Sequence, residues 1–376
     1  MTNLYHRREM MGSALLRHRG FPSISIYIPT HRRGAEVEQD PIRLGNQIAA
    51  AEADLGSQGM KPRAIDAVLE DARSLRNDYE FWQHGTGGLA LLIDEHGDTS
   101  TVRLPESCQE RTVVADTFHV RPILEQRDSP EIDVLVLTLG GVALYQMENG
   151  RLERVEADLP SSFADVNWFV DREPQSQQRA GSRGGRGVHH GHEVVRREDA
   201  DVDRFFRAIE QVVSKGDHRK SLVVLGVDDL AMRYIKETSR TAVSPDHSGI
   251  GDPDDIETVE ELIRPVLQEM DAKRRQQVEE TARADLGKGS ALTEIDECLE
   301  AAITGRVESL TMRRDADPVW GRLDLDSLKI EHVGAHEIGT VDLLDRLVAH
   351  AAMTGANLHF LPDTVEGHTV IVDPRY

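Results

Sequence analysis

Apolar and polar residues alternate along the first hydrophobic stretch of the chain, "SISIYIPT", which predicts a β-strand over Ser23–Ile28. Apolar residues then recur with helical spacing over Pro41–Leu55 and again over Pro62–Trp82. The apolar run Leu89–Ile93 follows a glycine turn and predicts a buried strand. We therefore expect an N-terminal α+β domain over residues 1–130, which is close to the usual size of a domain.

A second group of apolar runs predicts three consecutive strands, over Asp133–Leu139, Val142–Met147 and Leu152–Leu159. Asn149 and Gly150, between the second and the third run, are a strong hairpin signal. The segment "EDADVDRFFRAIEQVVS" predicts an amphipathic helix with acidic residues in its first turn, where they favour the positive end of the helix dipole. A strand, "SLVVLG", and a helix, "VDDLAMRYIKETS", complete the order that is typical of a ribonuclease-H-like domain. We assign it to residues 131–240.

The remaining part of the chain alternates helices and strands. After the polar linker "PDHSGIGDPDD", a long helix is predicted from Ile256 to about Leu286. It is followed by "ALTEIDECLEAAITG" (helix), "VESLTM" (strand), "TVDLLDRLVAHAAMTG" (helix), "ANLHFLP" (strand) and "HTVIVDPRY" (strand). This alternation predicts a C-terminal α/β/α sandwich over residues 241–376. The fold class expected for the whole chain is α/β and α+β, in three domains.

The composition, 39% hydrophobic and 29% charged residues, is that of a globular protein. A formal net charge of -22 opposes binding of nucleic acid over the surface at large, so that contact with RNA requires a local basic feature. Cys108 and Cys298 show no metal-binding or redox spacing, and we expect both to be reduced and the protein to be cytoplasmic. No segment predicts a signal peptide or a membrane span.

One local basic feature exists. The segment "QSQQRAGSRGGRGVHHGH", residues 175–192, contains three arginines, three histidines, five glycines and no carboxylate. Such a segment adds nothing to a core, and arginines can neutralise phosphates and stack on bases. We expect a mobile loop over residues 174–192 that contacts RNA. The candidate RNA-binding residues are Arg179, Arg183, Arg186, His189, His190, His192, Arg196 and Arg197.

Three other motifs favour structural explanations. The three histidines of "HHGH" would need further ligands for a metal site, and only Glu193 lies at suitable spacing, so that no metal is expected. "LGKGS" at Leu286–Ser290 lacks the first glycine of a phosphate-binding loop and no strand precedes it, so that no nucleotide cofactor is expected. His119 in "DTFHVRP" is expected to be a buried histidine with a structural hydrogen bond rather than a general base.

Six segments, in order, carry a resemblance to a known family: "SISIYIPT", "GGLALLID", "DTFHVRPIL", "DVLVLTLGGVALYQMENG", "LGKGSALTEIDECLEAAITGRVESLTM" and the closing "TGANLHFLP" with "PRY". Together they resemble the archaeal and eukaryotic class-1 peptide-chain release factors, in the divergent bacterial branch that is release-factor-like, Pelota-like and hibernation-factor-like. The resemblance implies a GGQ-like loop on the middle domain and a C-terminal domain similar to kink-turn RNA-binding proteins. It also implies the ribosome as partner, through ribosomal RNA and the end of the P-site tRNA, and a translational GTPase that meets the C-terminal domain.

In the family, the GGQ loop follows a strand ending in "DLP" and precedes a long helix. Gly184 and Gly185 stand at the positions of the two glycines, and Arg186 stands at the position of the glutamine. The paired glycines let the backbone approach RNA closely. Arg186 keeps the backbone N–H that, in the family, is thought to stabilise the oxyanion formed during peptidyl-tRNA hydrolysis. It lacks the glutamine carboxamide that helps to place the attacking water. The first domain also offers Gln39, Asp40 and Pro41 where the family has its codon-reading element.

These departures argue against classical termination and leave three functions open. The first is a factor that occupies the ribosomal A site in rescue or hibernation, with the GGR loop directed to the peptidyl-transferase centre. The second is an enzyme that hydrolyses peptidyl-tRNA on the ribosome. The third is an RNA-binding stress protein that does not act on ribosomes. Because a fold does not fix a function, the choice between them depends on the loop.

Overall fold

The structure is a computed structural model, and it describes residues 14–31, 34–83, 85–127, 131–138, 141–148, 151–160, 191–226, 228–245, 250–334, 336–337 and 339–375. The chain divides into two compact units. Unit 1 combines Met1–Ser129 with Lys273–Tyr376, and unit 2 is Pro130–Ala272. The first and the last of the three predicted domains thus contribute to one unit, and their independence as domains stays a prediction.

The N-terminal part of unit 1 is a four-stranded antiparallel sheet with helices. Its elements are β1 (Ser23–Pro29), a 3-10 helix (Ala35–Gln39), α1 (Asp40–Ser57), α2 (Pro62–Leu75), α3 (Tyr79–Trp82), β2 (Gly88–Ile93), β3 (Thr99–Leu104), β4 (Arg111–Ala115) and α4 (Arg121–Arg127). The strand order is β3-β2-β1-β4. Strands predicted over 23–28 and 89–93 are confirmed as β1 and β2, and they pair with Ile26 opposite Leu91.

The alternation along β1 places different residues on the two faces of this sheet. Ile24, Ile26 and Ile28 are fully buried in one core, together with apolar residues of α1 and α2. Tyr27 points to the other core, which also contains residues of the C-terminal part of unit 1. Ser25 is equally buried, and its hydroxyl accepts a hydrogen bond from the backbone N–H of His119 at 2.9 Å. Both faces of the sheet are therefore covered.

The single helix predicted over 62–82 is wrong in its extent. The structure ends α2 at Leu75 and begins the short α3 at Tyr79. Asp78 lies between them with extended backbone, and its side chain caps α3 by accepting from Phe81 N at 3.1 Å. An aspartate favours such a cap over a helix interior because its carboxylate competes for backbone N–H groups.

The C-terminal part of unit 1 contains α8 (Ile295–Ile303), β10 (Val307–Arg313), β11 (Trp320–Asp324), β12 (Lys329–His332), β13 (Val341–Asp342), α9 (Leu343–Met353), β14 (Asn357–Leu361) and β15 (Val370–Pro374). The long helix α7 (Ile256–Lys288) begins in unit 2 and ends in unit 1. The sheet β14-β10-β15 buries Val372 among residues of α8 and α9, and Ile371 beside Ala282 of α7. This layering confirms the predicted α/β/α sandwich.

A second sheet, β12-β11-β13, was missed by the sequence pattern. Its strands are short and largely half-exposed, and charged residues such as Arg322 and Lys329 interrupt any apolar alternation. The helix predicted from Ala291 also begins later, at Ile295, because Leu292 bridges to Val372 of β15 instead.

Unit 2 contains one five-stranded sheet. Its elements are β5 (Ile132–Leu137), β6 (Val142–Glu148), β7 (Arg151–Arg154), α5 (Gly191–Val213), β8 (Ser221–Gly226), α6 (Asp228–Glu237) and β9 (Ala242–Val243). The order is β7-β6-β5-β8-β9, with β5, β6 and β7 antiparallel and β8 parallel to β5. The predicted meander followed by helix, strand and helix is thus confirmed.

Two details of unit 2 correct the sequence analysis. The third strand, predicted to extend to Leu159, ends at Arg154, where the pairing with β6 stops after a hydrogen bond from Val155 N to Leu144 O at 2.8 Å. Helix α5 begins at Gly191, so that Glu198 and Asp199 lie two turns inside it rather than in its first turn. In the part of the chain that the structure describes, no helix is long and apolar enough to cross a membrane.

Candidate nucleic-acid interface

The candidate RNA-binding segment lies between two elements of unit 2, the edge strand β7 and the helix α5. On its N-terminal side, β7 is an edge strand, and the chain continues from it to Pro160 with Val155 and Leu159 packed against the core. On its C-terminal side, the chain enters α5 at Gly191. Residues 161–190 lie outside the described residues. These include Gly184, Gly185 and Arg186 as well as Arg179, Arg183, His189 and His190.

Three of the predicted basic residues lie on a described element. His192, Arg196 and Arg197 occupy the first two turns of α5. The loop predicted over 174–192 therefore overlaps the helix at residues 191 and 192. Helical backbone at this point means that the basic segment ends on the N-terminal turn of a helix, where unpaired N–H groups and the helix dipole favour negative charge.

The C-terminal half of α5 is anchored by apolar packing. Phe205, Phe206, Ile209 and Val213 are buried in one core with residues of β5, β6 and β8. Their spacing of three to four residues puts one side of the helix on the sheet. Phe206 also meets the ring of Tyr234 edge to face, with centroids 5.4 Å apart. The helix that follows the glycine- and arginine-rich segment is thus held by the sheet.

A carboxylate on α5 joins this packing to α6 and the turn after it. Glu210 accepts hydrogen bonds from Tyr234 Oη at 2.8 Å, from Ser239 N at 3.0 Å and from Ser239 Oγ at 2.7 Å. Burial acts to raise the pKa of Glu210, but these donors outweigh it and the pKa is lowered. The carboxylate is consequently charged near neutral pH and fixes the rotation of α5.

A buried ion pair supports the sheet below this helix. Arg240 Nη1 donates to Asp133 Oδ2 at 2.6 Å, and Arg240 Nη2 donates to the backbone oxygens of Asp217 and Lys220 at 3.1 and 2.9 Å. Both side chains of the pair are almost fully buried. The pair was not visible in the sequence, because its members are 107 residues apart.

In the first domain, the region implied to hold a codon-reading element is engaged in internal contacts. Gln39 ends the 3-10 helix, and Pro41 lies in the first turn of α1. Asp40 is 1% exposed and accepts from His31 N at 2.7 Å, from His31 Nδ1 at 2.9 Å and from Arg43 Nη1 at 3.0 Å. Asp40 thus serves to hold the start of α1 rather than to present a free carboxylate.

Two of the remaining candidate motifs, His119 and "LGKGS", have structural roles. His119 is 3% exposed, as expected, with Nδ1 at 3.5 Å from Asp345 Oδ1 and Nε2 at 3.3 Å from Arg111 Nη1. Burial lowers its pKa to about 4, so that the ring is neutral at neutral pH. Lys288 of "LGKGS" ends a helix and pairs with Asp285 at 2.7 Å, whereas a phosphate-binding loop would begin one. Within the described ranges, no group of three potential metal ligands occurs.

Unit 2 is of a mixed α/β class, with an edge strand and a sheet-anchored helix on either side of a glycine-rich segment. Residues 133–306 match the model of the bacterial archaeo-eukaryotic release factor family 3. This match confirms the resemblance found in the sequence. The match includes Gly184, Gly185 and Arg186.

Comparison with other proteins adds distant similarities. No curated protein matches the sequence. Among solved structures, the archaeal translation termination factor aRF1 is 13% identical, with 99% of this chain and 98% of that chain covered and a TM-score of 0.24. Archaeoglobus fulgidus Pelota is 13% identical over 77% of this chain and 79% of that chain, with a TM-score of 0.30. A structure of ribosome-bound archaeal Pelota and ABCE1 is 12% identical over 98% and 94%, with a TM-score of 0.38.

Proposed function

We propose that the protein is a ribosome-binding translation factor that occupies the A site in ribosome rescue or hibernation. Its GGR loop would be directed to the peptidyl-transferase centre. The observation that carries this proposal is the family match over residues 133–306, because the matched segment contains the glycine pair and the arginine at the GGQ position. A role on ribosomes also agrees with the cytoplasmic location expected from the sequence.

The physical chemistry of the segment supports contact with RNA. The chain carries 66 acidic and 44 basic residues, yet residues 175–192 contain no carboxylate. An acidic surface repels RNA, whereas three arginines on a glycine-rich segment would form a local cationic contact. The anchored half of α5 gives the segment a fixed attachment to the sheet on its C-terminal side.

The second candidate function is peptidyl-tRNA hydrolysis, and Arg186 is the residue that bears on it. Its backbone N–H could stabilise an oxyanion. Its guanidinium only donates hydrogen bonds, whereas the carboxamide of glutamine both donates and accepts them. We therefore expect occupancy without efficient hydrolysis. The third candidate, an RNA-binding stress protein that does not act on ribosomes, retains the basic segment but predicts no preference for the A site.

A translational GTPase is proposed as a further partner, through the C-terminal domain. This part of the proposal rests on the family resemblance alone. It predicts that a GTPase of the elongation-factor class is retained on the full chain in the presence of ribosomes.

Cosedimentation with purified ribosomes tests the proposal and separates the candidates. We expect the full chain to sediment with vacant ribosomes and to be displaced when deacylated tRNA fills the A site. A variant with Arg179, Arg183 and Arg186 replaced by alanine should sediment less. The matched control replaces three exposed arginines elsewhere, Arg63, Arg207 and Arg219, and changes the net charge equally. Binding to RNA without binding to ribosomes would instead favour the third candidate.

A further inference from the structure

A groove in unit 1 lies between the second half of α7 and one face of the sheet β14-β10-β15, and it holds a cavity of about 370 Å³. The α7 residues that line it recur every three to four positions from Arg274 to Asp285, so that one side of the helix faces the sheet. All lining residues fall within Lys273–Tyr376, and the groove therefore belongs to unit 1 alone. A cavity of this size accommodates a small organic molecule.

The face of the sheet that lines this groove is largely polar. On its central strand, Leu310 and Met312 are buried on the opposite face, in the core that includes α8 and α9. The residues that alternate with them line the groove together with their cross-strand neighbours. They form two rows across the strands, Asn357–Ser309–Asp373 and His359–Thr311–Ile371. A sheet face under a helix is normally apolar, so that these rows indicate a use other than packing.

Thr311 provides the first sign of a ligand. It is the central residue of the second row, and it is only 7% exposed. None of the described residues forms a hydrogen bond with its hydroxyl. A buried hydroxyl without a partner destabilises the fold, and a ligand that hydrogen-bonds to it removes that cost. The position of Thr311 on the wall of the cavity therefore indicates a polar ligand.

Two carboxylates give one end of the groove a negative charge. Burial and then the charge of Asp285 raise the pKa of Asp373, with Lys288 opposing the shift and Glu308 adding to it. Asp285 is 7% exposed, and its Oδ1 accepts from Lys288 Nζ at 2.7 Å. Glu308 pairs with Arg375 at 3.3 Å. Asp285 and Asp373 thus share one ammonium, and their mutual repulsion favours a second cation between them.

Arg274 also lines the groove, but it lies far along the helix from this end. The backbones of Arg274 and Asp285 are about 16 Å apart along the axis of α7. The screening length in physiological salt is about 8 Å, so that a solvent-exposed cation at this separation contributes little repulsion. The carboxylate end therefore favours a positively charged ligand group in spite of Arg274.

We propose that this groove binds a small aliphatic primary amine. Its ammonium has three N–H donors, and they meet the carboxylates of Asp285 and Asp373 and the hydroxyl of Thr311, the diagonal neighbour of Asp373 in the sheet. The carbon chain of the amine lies on Val278 and Ile371. The site uses no residue of the glycine- and arginine-rich segment, so that it goes beyond the function proposed above and does not depend on it.

Titration of the full chain with butylamine, followed by the methyl NMR signals of Ile371 and of the distant Ile48, tests the proposal. Sodium, tetramethylammonium and acetate at equal ionic strength are the comparison probes. We expect butylamine to shift the Ile371 signal in a saturable manner and to leave Ile48 unchanged. It should bind at least about tenfold more tightly than tetramethylammonium, which carries the same charge but no N–H donor. A linear shift that sodium reproduces, or saturable binding of acetate instead of butylamine, would overturn the proposal.

Two variants make the test specific. Thr311→Val should weaken butylamine binding by about tenfold, and in the absence of ligand it should leave the urea midpoint unchanged or raise it, because it removes an unpaired hydroxyl. Asp373→Asn should weaken binding by about tenfold or more, because it removes one of the two charges. Asp363→Asn, exposed after β14, changes the net charge equally and should bind as the native protein does. Unweakened binding in Asp373→Asn, or a lower urea midpoint in Thr311→Val, would contradict the site.

Discussion

Asp345 connects the two parts of unit 1 through hydrogen bonds to its carboxylate. Its Oδ1 accepts from the backbone N–H groups of Val120 and Arg121 at 2.6 Å each, and its other oxygen pairs with Arg346. Burial acts to raise the pKa of Asp345, but its hydrogen-bond and charge partners outweigh it and the pKa is lowered. Since His119 is neutral near pH 7, Arg346 is the cation that balances this charge.

Replacing this carboxylate should be costly. Asp345→Asn leaves the buried guanidinium of Arg346 without its anion, and we expect the free energy of unfolding to fall by about 3–5 kcal/mol near neutral pH. Urea denaturation followed by circular dichroism measures the change. Asp326→Asn, on the exposed turn between β11 and β12, is the control and should stay within about 0.5 kcal/mol of the native protein. A loss below about 1 kcal/mol for Asp345→Asn would contradict the role assigned to it.

Glu125 gives a prediction with a defined dependence on pH. Its pKa is raised to about 7 in the folded protein, whereas a glutamate in the unfolded chain titrates near about 4.3. Proton binding therefore favours the fold. This stabilisation is complete below about pH 4 and is lost as the pH rises through about 7.

Glu125→Gln resembles the protonated form at every pH. Relative to the native protein, its free energy of unfolding should rise between about pH 4.5 and 8, by on the order of 2–3 kcal/mol. Denaturation at several pH values reports the difference, and the exposed Glu80→Gln serves as the control. A difference that is constant over this range would show that Glu125 is not held in its protonated form.

The sequence could predict a buried, structural role for His119, because no nucleophile or catalytic partner accompanies it. It could not predict Asp345 as its neighbour, since the two residues are more than 200 positions apart in the sequence. Pairwise contacts at this separation depend on how the two parts of unit 1 pack. A single sequence carries no signal for that packing.

At the scale of elements, α5 is the helix on which the candidate site depends. Phe205 is fully buried between this helix and the sheet of unit 2. Phe205→Ala should lower the free energy of unfolding by about 3–5 kcal/mol, because it removes apolar contact and leaves a cavity. Arg207→Ala, on the exposed side of the same helix, tests helix propensity alone and should change little. Equal effects of the two variants would contradict the packing described for α5.

Elements with strong periodicity were predicted well, and elements held by tertiary pairing were not. β1, β2, α1 and α7 have apolar residues at regular spacing, so that the pattern alone located them. The sheet β12-β11-β13 exists through hydrogen bonds between short, half-exposed strands, and its residues carry no such pattern. The sequence pattern predicted the start of α5 at Glu198, seven residues after its actual start at Gly191. The residues after Gly191 are mostly polar, and apolar residues at helical spacing are recognisable only from Val202 onward.

At the scale of the whole molecule, salt dependence of ribosome binding should reveal the basic segment. Each phosphate contact releases counterions, and the logarithm of the affinity falls with the logarithm of salt concentration in proportion to the number of contacts. Replacing Arg179, Arg183 and Arg186 by alanine should weaken binding and reduce the slope by about 2–3. The triple replacement of Arg63, Arg207 and Arg219 should leave the slope nearly unchanged. An unaltered slope in the first variant would place the RNA contact elsewhere on the chain.

The central claim is that the protein occupies the A site without releasing the nascent chain. It is tested most directly by peptide release from ribosomes with a peptidyl-tRNA in the P site and an empty A site, with bound protein measured in the same reactions. We predict that the native protein binds and releases peptide at a rate lower by about 10²–10³ than a GGQ-containing factor, the usual cost of a missing transition-state contact. Arg186→Gln, which completes the GGQ triplet beside Gly184 and Gly185, should bind equally and release faster. Rapid release by the native protein would contradict the account and identify it as a hydrolase.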